Sequence, residues 1–406
     1  MSLRILHVLD HSVPLQSGYA FRTLSLLREQ RALGWETFQL TSPKHYAPGP
    51  MEEDVAGVHF VRTRLPAFMA QVPVINQAAV IVATARRIEE LIPRFRPDII
   101  HAHSPALNGL AALSAARRKG IPVVYEMRAS WEDAAVDHGT SREGGLRYRL
   151  TRMLETSVLR RADAVTTICE GLAEEIRARG VPAERVTVIP NAVDIENFEP
   201  IERPDLTLRD RLQLGEGPVL GFIGSLYGYE GLDLLIRAFP RIAASYPGAR
   251  LALVGGGPAE PSLKRLTAEL GLAASVHFIG RVPHEDVRRY YSIIDLLVYP
   301  RISIRLTELV TPLKPLEAMC LGRMFIASNV GGHREIVPGS LRSHLFKPGD
   351  STDLARAANE LLAARDRWPA LAAAARRYVA EQRTWRGSVA RYADAYGARA
   401  AQRAVA

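Results

Sequence analysis

Short apolar runs alternate with longer stretches of helical period along most of the chain. ILHVL reads as a strand, a helical pattern follows over Ala20–Leu33 and stops at Gly34, and TFQLT reads as the next strand. Strand, helix, strand is the opening unit of a parallel sheet. Further strands are predicted at Val58–Val61, Ile99–Ala102, Val123–Tyr125, Ala164–Ile168 and Val186–Ile189, with helical stretches between most of them. After a charged segment the alternation restarts with VLGFIG, then ARLALV, VHFIG and LLVYP, and then Met324 to Ala327. The first half predicts a doubly wound α/β sheet, and the restart is consistent with a second domain. Ligands of such sheets bind beyond the carboxyl ends of the strands, so chemistry is expected in the loop that follows each strand.

Composition narrows the setting. With 406 residues and 47% hydrophobic content, the chain can bury a sizeable core and is too long for one comfortable sheet. A formal charge of +9 favours acidic partners: sugar-nucleotide phosphates, lipid phosphates or nucleic acid. The two cysteines, Cys169 and Cys320, have no metal-binding spacing and fit a reducing compartment. MSLRILHVLD leaves no room for a signal peptide, so a cytoplasmic location is expected. The longest apolar run, Ala78 to Ala85, falls far short of the roughly 20 residues a spanning helix needs, so any membrane contact is expected to be peripheral, at the inner face. One helical pattern, Gly145 to Ala162, combines Leu146, Leu150, Met153, Leu154, Val158 and Leu159 with Arg147, Arg149, Arg152, Arg160 and Arg161. It reads either as a solvated charged face or as a basic helix that meets an anionic bilayer. The apolar stretch Leu65 to Val74 would cooperate with it or form an acceptor loop.

Several loops carry candidate chemistry. In DHSVPLQSGYAFRT, Gly18 stands just before a helix whose first turn holds Arg22, which reads as an ordinary turn or as an anion-binding helix start. HAHSP places His101 and His103 at a strand end, where His103 reads either as the one on the ligand side or as a satisfied structural histidine. YEMRASWEDAAVDHGT offers Glu126 for sugar hydroxyls or an acceptor and Arg128 to hold it, against the plainer reading of an acidic helix start with a packed Trp131. From Tyr299 to Gly332 a strand ends at Pro300, Pro315 sits where a helix begins, and Gly322 sits where it stops. Glu317 then lies in the first helical turn, where it either caps its own helix or receives the vicinal hydroxyls of a ribose.

The pattern P-x-K-x-x-E-A-M-x-x-G around Lys314 and Glu317, followed by an apolar strand and G-G-x-x-E, resembles the donor-nucleotide signature of retaining GT-B glycosyltransferases of family 4. That resemblance implies two Rossmann-like domains facing across a cleft: an acceptor-side domain over 1–190, a linker over 191–217, a nucleotide-sugar domain over 218–380, and a terminal helix over 381–406 crossing back to the first. It implies that Gly224, Ser225, Gly256, Arg281, Val282, Lys314 and Glu317 meet the donor nucleotide. Gly18, Arg22, Arg128, Arg301 and Arg305 are the candidates for its phosphates or sugar, and His103, Glu126 and Glu308 for the catalytic centre; Glu126 and Arg128 stand where many members of the family carry a histidine that touches the transferred sugar, so that histidine's role is not carried over. It implies a nucleotide-sugar donor as co-substrate, a glycan or lipid-linked glycan acceptor, no other cofactor, no metal and no nucleic acid. RLTELVTPLKPLEAMCLGR, with HAHSP and YEMRASWED, is similar to a subgroup linked to exopolysaccharide and exosortase clusters.

The chain also departs from the family pattern. Ser225 and Glu230 stand where an Arg and a Lys usually hold the donor diphosphate, so Arg301, Arg305, Lys314 and the amides of residues 224–226 are the expected replacements. Glu308 precedes Glu317 by one residue more than the commonest spacing. Two other readings stand beside this one: a sugar-nucleotide epimerase, which shares the fold and would bind the same donor, and a non-catalytic partner of another transferase, which would explain the missing Arg and Lys.

Overall fold

The computed structural model describes residues 2–397 apart from 16, 67–72, 138 and 197, without the side chains of 73–75, 137 and 284. The chain divides after Asn191 and again after Thr384: residues 1–191 and 385–406 form one compact unit, and 192–384 the other.

The first unit is built on β1 (Arg4–Leu9), β2 (Glu36–Thr41), β3 (Glu52–Val55), β4 (Val58–Arg62), β5 (Ile99–His103), β6 (Val123–Met127), β7 (Ala164–Thr167) and β8 (Val186–Val188). They lie in the order β3-β4-β2-β1-β5-β6-β7-β8. The neighbours pair in parallel except β3 with β4, an acidic edge hairpin that the apolar pattern does not predict. Parallel strands covered by helices on both faces need apolar residues throughout, and β5, β6 and β7 are buried at every position. Helix Gly18–Ala32 starts on a Ser17 cap, whose hydroxyl accepts the Ala20 N–H at 3.1 Å. It ends at Gly34, whose φ of +81° a side chain would resist.

The second unit holds β9 (Val219–Ile223), β10 (Arg250–Val254), β11 (Val276–Gly280), β12 (Leu296–Tyr299), β13 (Met324–Ser328) and β14 (Leu345–Phe346). Their order is β11-β10-β9-β12-β13-β14, and all these neighbours are parallel. Residues 192–217, where the sequence suggests a linker, count with this unit. They form helix Leu206–Arg211, capped by the Asp205 carboxylate, and Leu208 and Leu214 sink into the unit's core. The charged composition of the segment hides these two anchors.

Residues 385–397 belong to the first unit. Helix Trp385–Ala390 and the helical residues 392–397 bury Trp385, Val389, Tyr392 and Tyr396 there. The apolar stretch Leu65–Val74 falls largely outside the described residues. Among the described residues no helix is long and apolar enough to cross a membrane.

Candidate functional site

In the second unit most of the expected donor residues gather at the carboxyl ends of β9, β10 and β12. Two glycine loops interlock there: Gly224 N–H donates to the Val254 carbonyl at 2.9 Å and Leu226 N–H to the Gly256 carbonyl at 3.1 Å. Two of the three amides expected to face a diphosphate, those of Gly224 and Leu226, are therefore engaged by the neighbouring loop. The fit admits no side chain, since a Cβ on Gly255 (φ +129°) would lie 1.9 Å from the Gly224 carbonyl oxygen. Exposed Arg281 follows β11 and covers Gly256, whose added Cβ would meet the Arg281 side chain at 3.2 Å. Val282 packs, partly buried, against the core, and Ser225 is exposed.

Glu230 organises the cations. Its carboxylate is buried and binds Arg301 in a fork, Nε to Oε2 at 3.2 Å and a terminal nitrogen to Oε1 at 3.3 Å, while Lys314 Nζ reaches the same Oε1. Burial pushes the Glu230 carboxyl up, but the charges of Arg301 and Lys314 outweigh it and hold the group at about 2. Lys314 stretches across the bare face of Gly224, where a Cβ would stand 2.3 Å from its Cε, and its ammonium lies 4.8 Å from the Phe222 ring centre. Two of the three expected replacement cations thus meet at one point, together with the anion that replaced the family's lysine. The third, Arg305, opens the short helix Arg305–Leu309 and is half-buried.

Glu317 stands in the first turn of helix Lys314–Cys320, as the sequence implies, and is half-buried. The Tyr291 hydroxyl donates to its Oε2 at 3.0 Å, and the Tyr299 hydroxyl donates to the Lys314 carbonyl at 3.2 Å. Both tyrosines are positioning residues that the sequence conceals, because RRYYSII and LLVYP look like ordinary core segments.

Glu308, expected at the donor sugar, is held by the protein's own groups. Its carboxylate accepts from Ser303 Oγ at 2.7 Å, the Gly331 N–H at 2.7 Å and Arg334 at 3.0 Å. These donors outweigh the burial that would raise its pKa and hold it below the usual carboxylate range. From helix Arg305–Leu309, Glu308 braces this segment against Gly331 and Arg334.

The first unit has a second cluster at the carboxyl ends of β5 and β6. Glu126, fully buried, accepts from Arg128 Nε at 2.7 Å, Arg22 Nε at 3.4 Å, Thr166 at 3.4 Å and the Tyr392 hydroxyl. These contacts fill its acceptor sites, so the expectation that it meets sugar hydroxyls does not fit this geometry. Burial raises its pKa, but Arg128 and Arg22 hold it well below the usual range. Arg22 also reaches Asn191 Oδ1 and the Ile189 carbonyl, both at 2.9 Å, and Arg128 reaches Thr23 at 2.9 Å. Gly18 heads the helix that carries Arg22, and an added Cβ there would meet nothing within 4 Å.

His103 and His101 are both fully buried, and the register of β1 against β5 adds His7, which the sequence shows only as a lone polar residue in a strand. Arg128 donates to His103 Nδ1 at 2.7 Å, so His103 carries its hydrogen on Nε2 and gives it to His7 Nδ1 at 2.9 Å. Burial, then the Arg128 charge, brings His103 down to about 3; His7 and His101 also lie well below 6.5, chiefly through burial. One nitrogen of each lies within 4.8 Å of the others, close enough to consider a metal. The His101 and His103 rings stack with centres 4.0 Å apart, however, and Arg128 takes a His103 nitrogen, so the set is built as a hydrogen-bonded stack.

Solved structures of related shape confirm the architecture. Sucrose-phosphate synthase from Thermosynechococcus elongatus matches with a TM-score of 0.79 at 20% identity, over 98% of this chain and 100% of that one. Anabaena HepE in complex with UDP matches with 0.74 at 18% identity, over 98% and 100%. The fold is that of the GT-B glycosyltransferases. Residues 17–192 match the family described as glycosyl transferase 4-like domain and 217–364 that of glycosyl transferases group 1. The chain is 30% identical to the D-inositol 3-phosphate glycosyltransferase of Thermobispora bispora over 366 residues, 87% of this chain and 79% of that protein. It is 34% identical over 249 residues to the GDP-mannose-dependent alpha-(1-6)-phosphatidylinositol monomannoside mannosyltransferase of Mycobacterium tuberculosis H37Rv, over 59% of this chain but only 63% of that protein. The chain belongs to the family 4 glycosyltransferases.

Proposed function

We propose that this chain is a retaining transferase that moves a hexosyl unit from a UDP- or GDP-sugar to a glycan or lipid-linked glycan during exopolysaccharide synthesis. The observation that carries this reading is the assembly of Gly224, Gly256, Arg281, Arg301, Lys314 and Glu317 at one end of the second sheet. Glu317, steadied by Tyr291, receives the ribose hydroxyls, Arg281 and Val282 border the base, and Lys314 and Arg301 face the diphosphate. These cations neutralise the leaving group in place of a metal. In this reading Glu308 keeps the loop at the donor sugar in shape, while His103, Glu126, Arg128 and Arg22 position the loops of the first unit. HepE in complex with UDP and the GDP-mannose-dependent relative point to the two donor classes.

Peripheral attachment to an anionic membrane belongs to the same reading. Helix Leu146–Arg161 leaves Leu146 77%, Leu150 46% and Met153 59% exposed, on a stripe flanked by arginines.

A thermal-shift screen against UDP-, GDP- and ADP-sugars tests the donor, because a ligand of the folded state raises the melting temperature. Incubation of the stabilising donor with lipid-linked glycans, with and without EDTA, followed by assignment of the product's anomeric configuration, tests the rest. Release of an epimerised sugar nucleotide with no acceptor product would overturn it.

A further inference from the structure

Glu230 is a carboxylate buried between two cations at a position where the family resemblance places a diphosphate-binding lysine. Its two oxygens take the Arg301 fork and the Lys314 ammonium, so in this structure the chain's own carboxylate holds the charges available to a phosphate. The three groups together carry one net positive charge. Lys314, with its side chain 21% exposed, is the more accessible cation, whereas Arg301 is fixed beneath it by the fork and by the Tyr229 ring, 5.7 Å from its guanidinium carbon.

We propose that Glu230 is an internal counter-anion that competes with the pyrophosphate group for Lys314, and thereby sets donor affinity and speeds release of the nucleoside diphosphate. The proposal rests on the donor reading above. An incoming diphosphate draws Lys314 off Glu230 towards its own oxygens, and the carboxylate stays behind, paired with Arg301. After transfer the lysine returns to Glu230, which favours departure of the product. The pair would not open by protonation, because its cations hold the Glu230 carboxyl at about 2.

Glu230 acts on anion binding in two opposite ways. By holding the cations in place it would aid binding; by opposing a second anion it would hinder it. A carboxylate about 5 Å from a phosphate, at an effective dielectric constant of about 20, opposes its binding by roughly a hundredfold before screening and relaxation. Fixing one lysine rotamer contributes less than this, roughly tenfold. Repulsion therefore dominates.

The test is calorimetric titration of the wild-type chain, Glu230→Gln and the double variant Glu230→Gln/Lys314→Met with inorganic pyrophosphate, UDP and GDP. Glu230→Gln should bind pyrophosphate at least about tenfold more tightly than wild type. The double variant, which restores the net charge of the trio, should bind no more weakly than wild type; this still decides the question if Glu230→Gln fails to fold. Equal or weaker pyrophosphate binding by Glu230→Gln, no pyrophosphate binding by either protein, or, where the single variant does not fold, weaker binding by the double variant, would overturn the proposal. Tighter pyrophosphate binding with no UDP or GDP binding in any variant would leave the counter-anion standing and remove the donor reading instead.

Discussion

At the residue scale, two motifs that look alike in the sequence have different physical bases. The glycine at 255 is required by contact with backbone: its φ is +129° and a Cβ would press on the carbonyl of Gly224, whose N–H is itself bonded to Val254. Gly255→Ala should lower stability by about 3 kcal/mol, measured by chemical unfolding. Gly18 has open space around it, so Gly18→Ala should be neutral within about 0.5 kcal/mol. The sequence marks both as glycines after a strand and cannot rank them, because the obstacle at 255 comes from a loop thirty positions away. Glu317 was legible, since its place beside a proline-started helix turn follows from local rules. The Glu230–Arg301–Lys314 trio was legible only as a departure from the family pattern. That the three would meet depends on the pairing of β9 with β12, which brings their loops side by side.

At the scale of elements, the parallel strands and their helices were readable because their apolar runs and helical periods differ. The acidic hairpin partner β3 was not, as it carries no apolar signal. The terminal helix was expected to pack on the first unit from resemblance alone; the side chains that tie it down are Tyr392 on Glu126 and Tyr396 on His101 Nδ1 at 2.7 Å. Tyr392→Phe removes a charge-assisted hydrogen bond to a buried carboxylate and should destabilise the first unit by about 2 kcal/mol, with faster hydrogen exchange in residues 385–397.

The histidine stack makes that unit sensitive to acid. His7, His101 and His103 have folded pKa values below the ordinary 6.5, so the unfolded chain takes up protons first as pH falls. Their contribution is complete above about pH 6.5 and is lost below it, by up to about 1.4 kcal/mol per pH unit for each histidine. Unfolding measured between about pH 7 and pH 5 should show this slope, and His103→Gln should reduce it. A slope unchanged by His103→Gln would contradict the assignment.

At the scale of the whole molecule, a net charge of +9 and the arginine-flanked apolar stripe of helix Leu146–Arg161 carry the proposed attachment to an anionic surface. The chain should sediment with phosphatidylglycerol vesicles but not with phosphatidylcholine vesicles, and high salt should release it. Replacing Arg149 and Arg152 together with glutamate should abolish sedimentation while leaving nucleotide affinity unchanged; persistence of binding would place the contact elsewhere.

The central claim is that a nucleoside diphosphate binds the second unit through the carboxylate that Tyr291 steadies. Calorimetric titration of wild type and Glu317→Ala with UDP and GDP, side by side, tests it most directly. The account predicts that wild type binds at least one of the two and that Glu317→Ala weakens it by roughly tenfold to a hundredfold, as expected for loss of charge-assisted hydrogen bonds. No binding of either nucleotide to wild type, or equal affinity in Glu317→Ala, would contradict it.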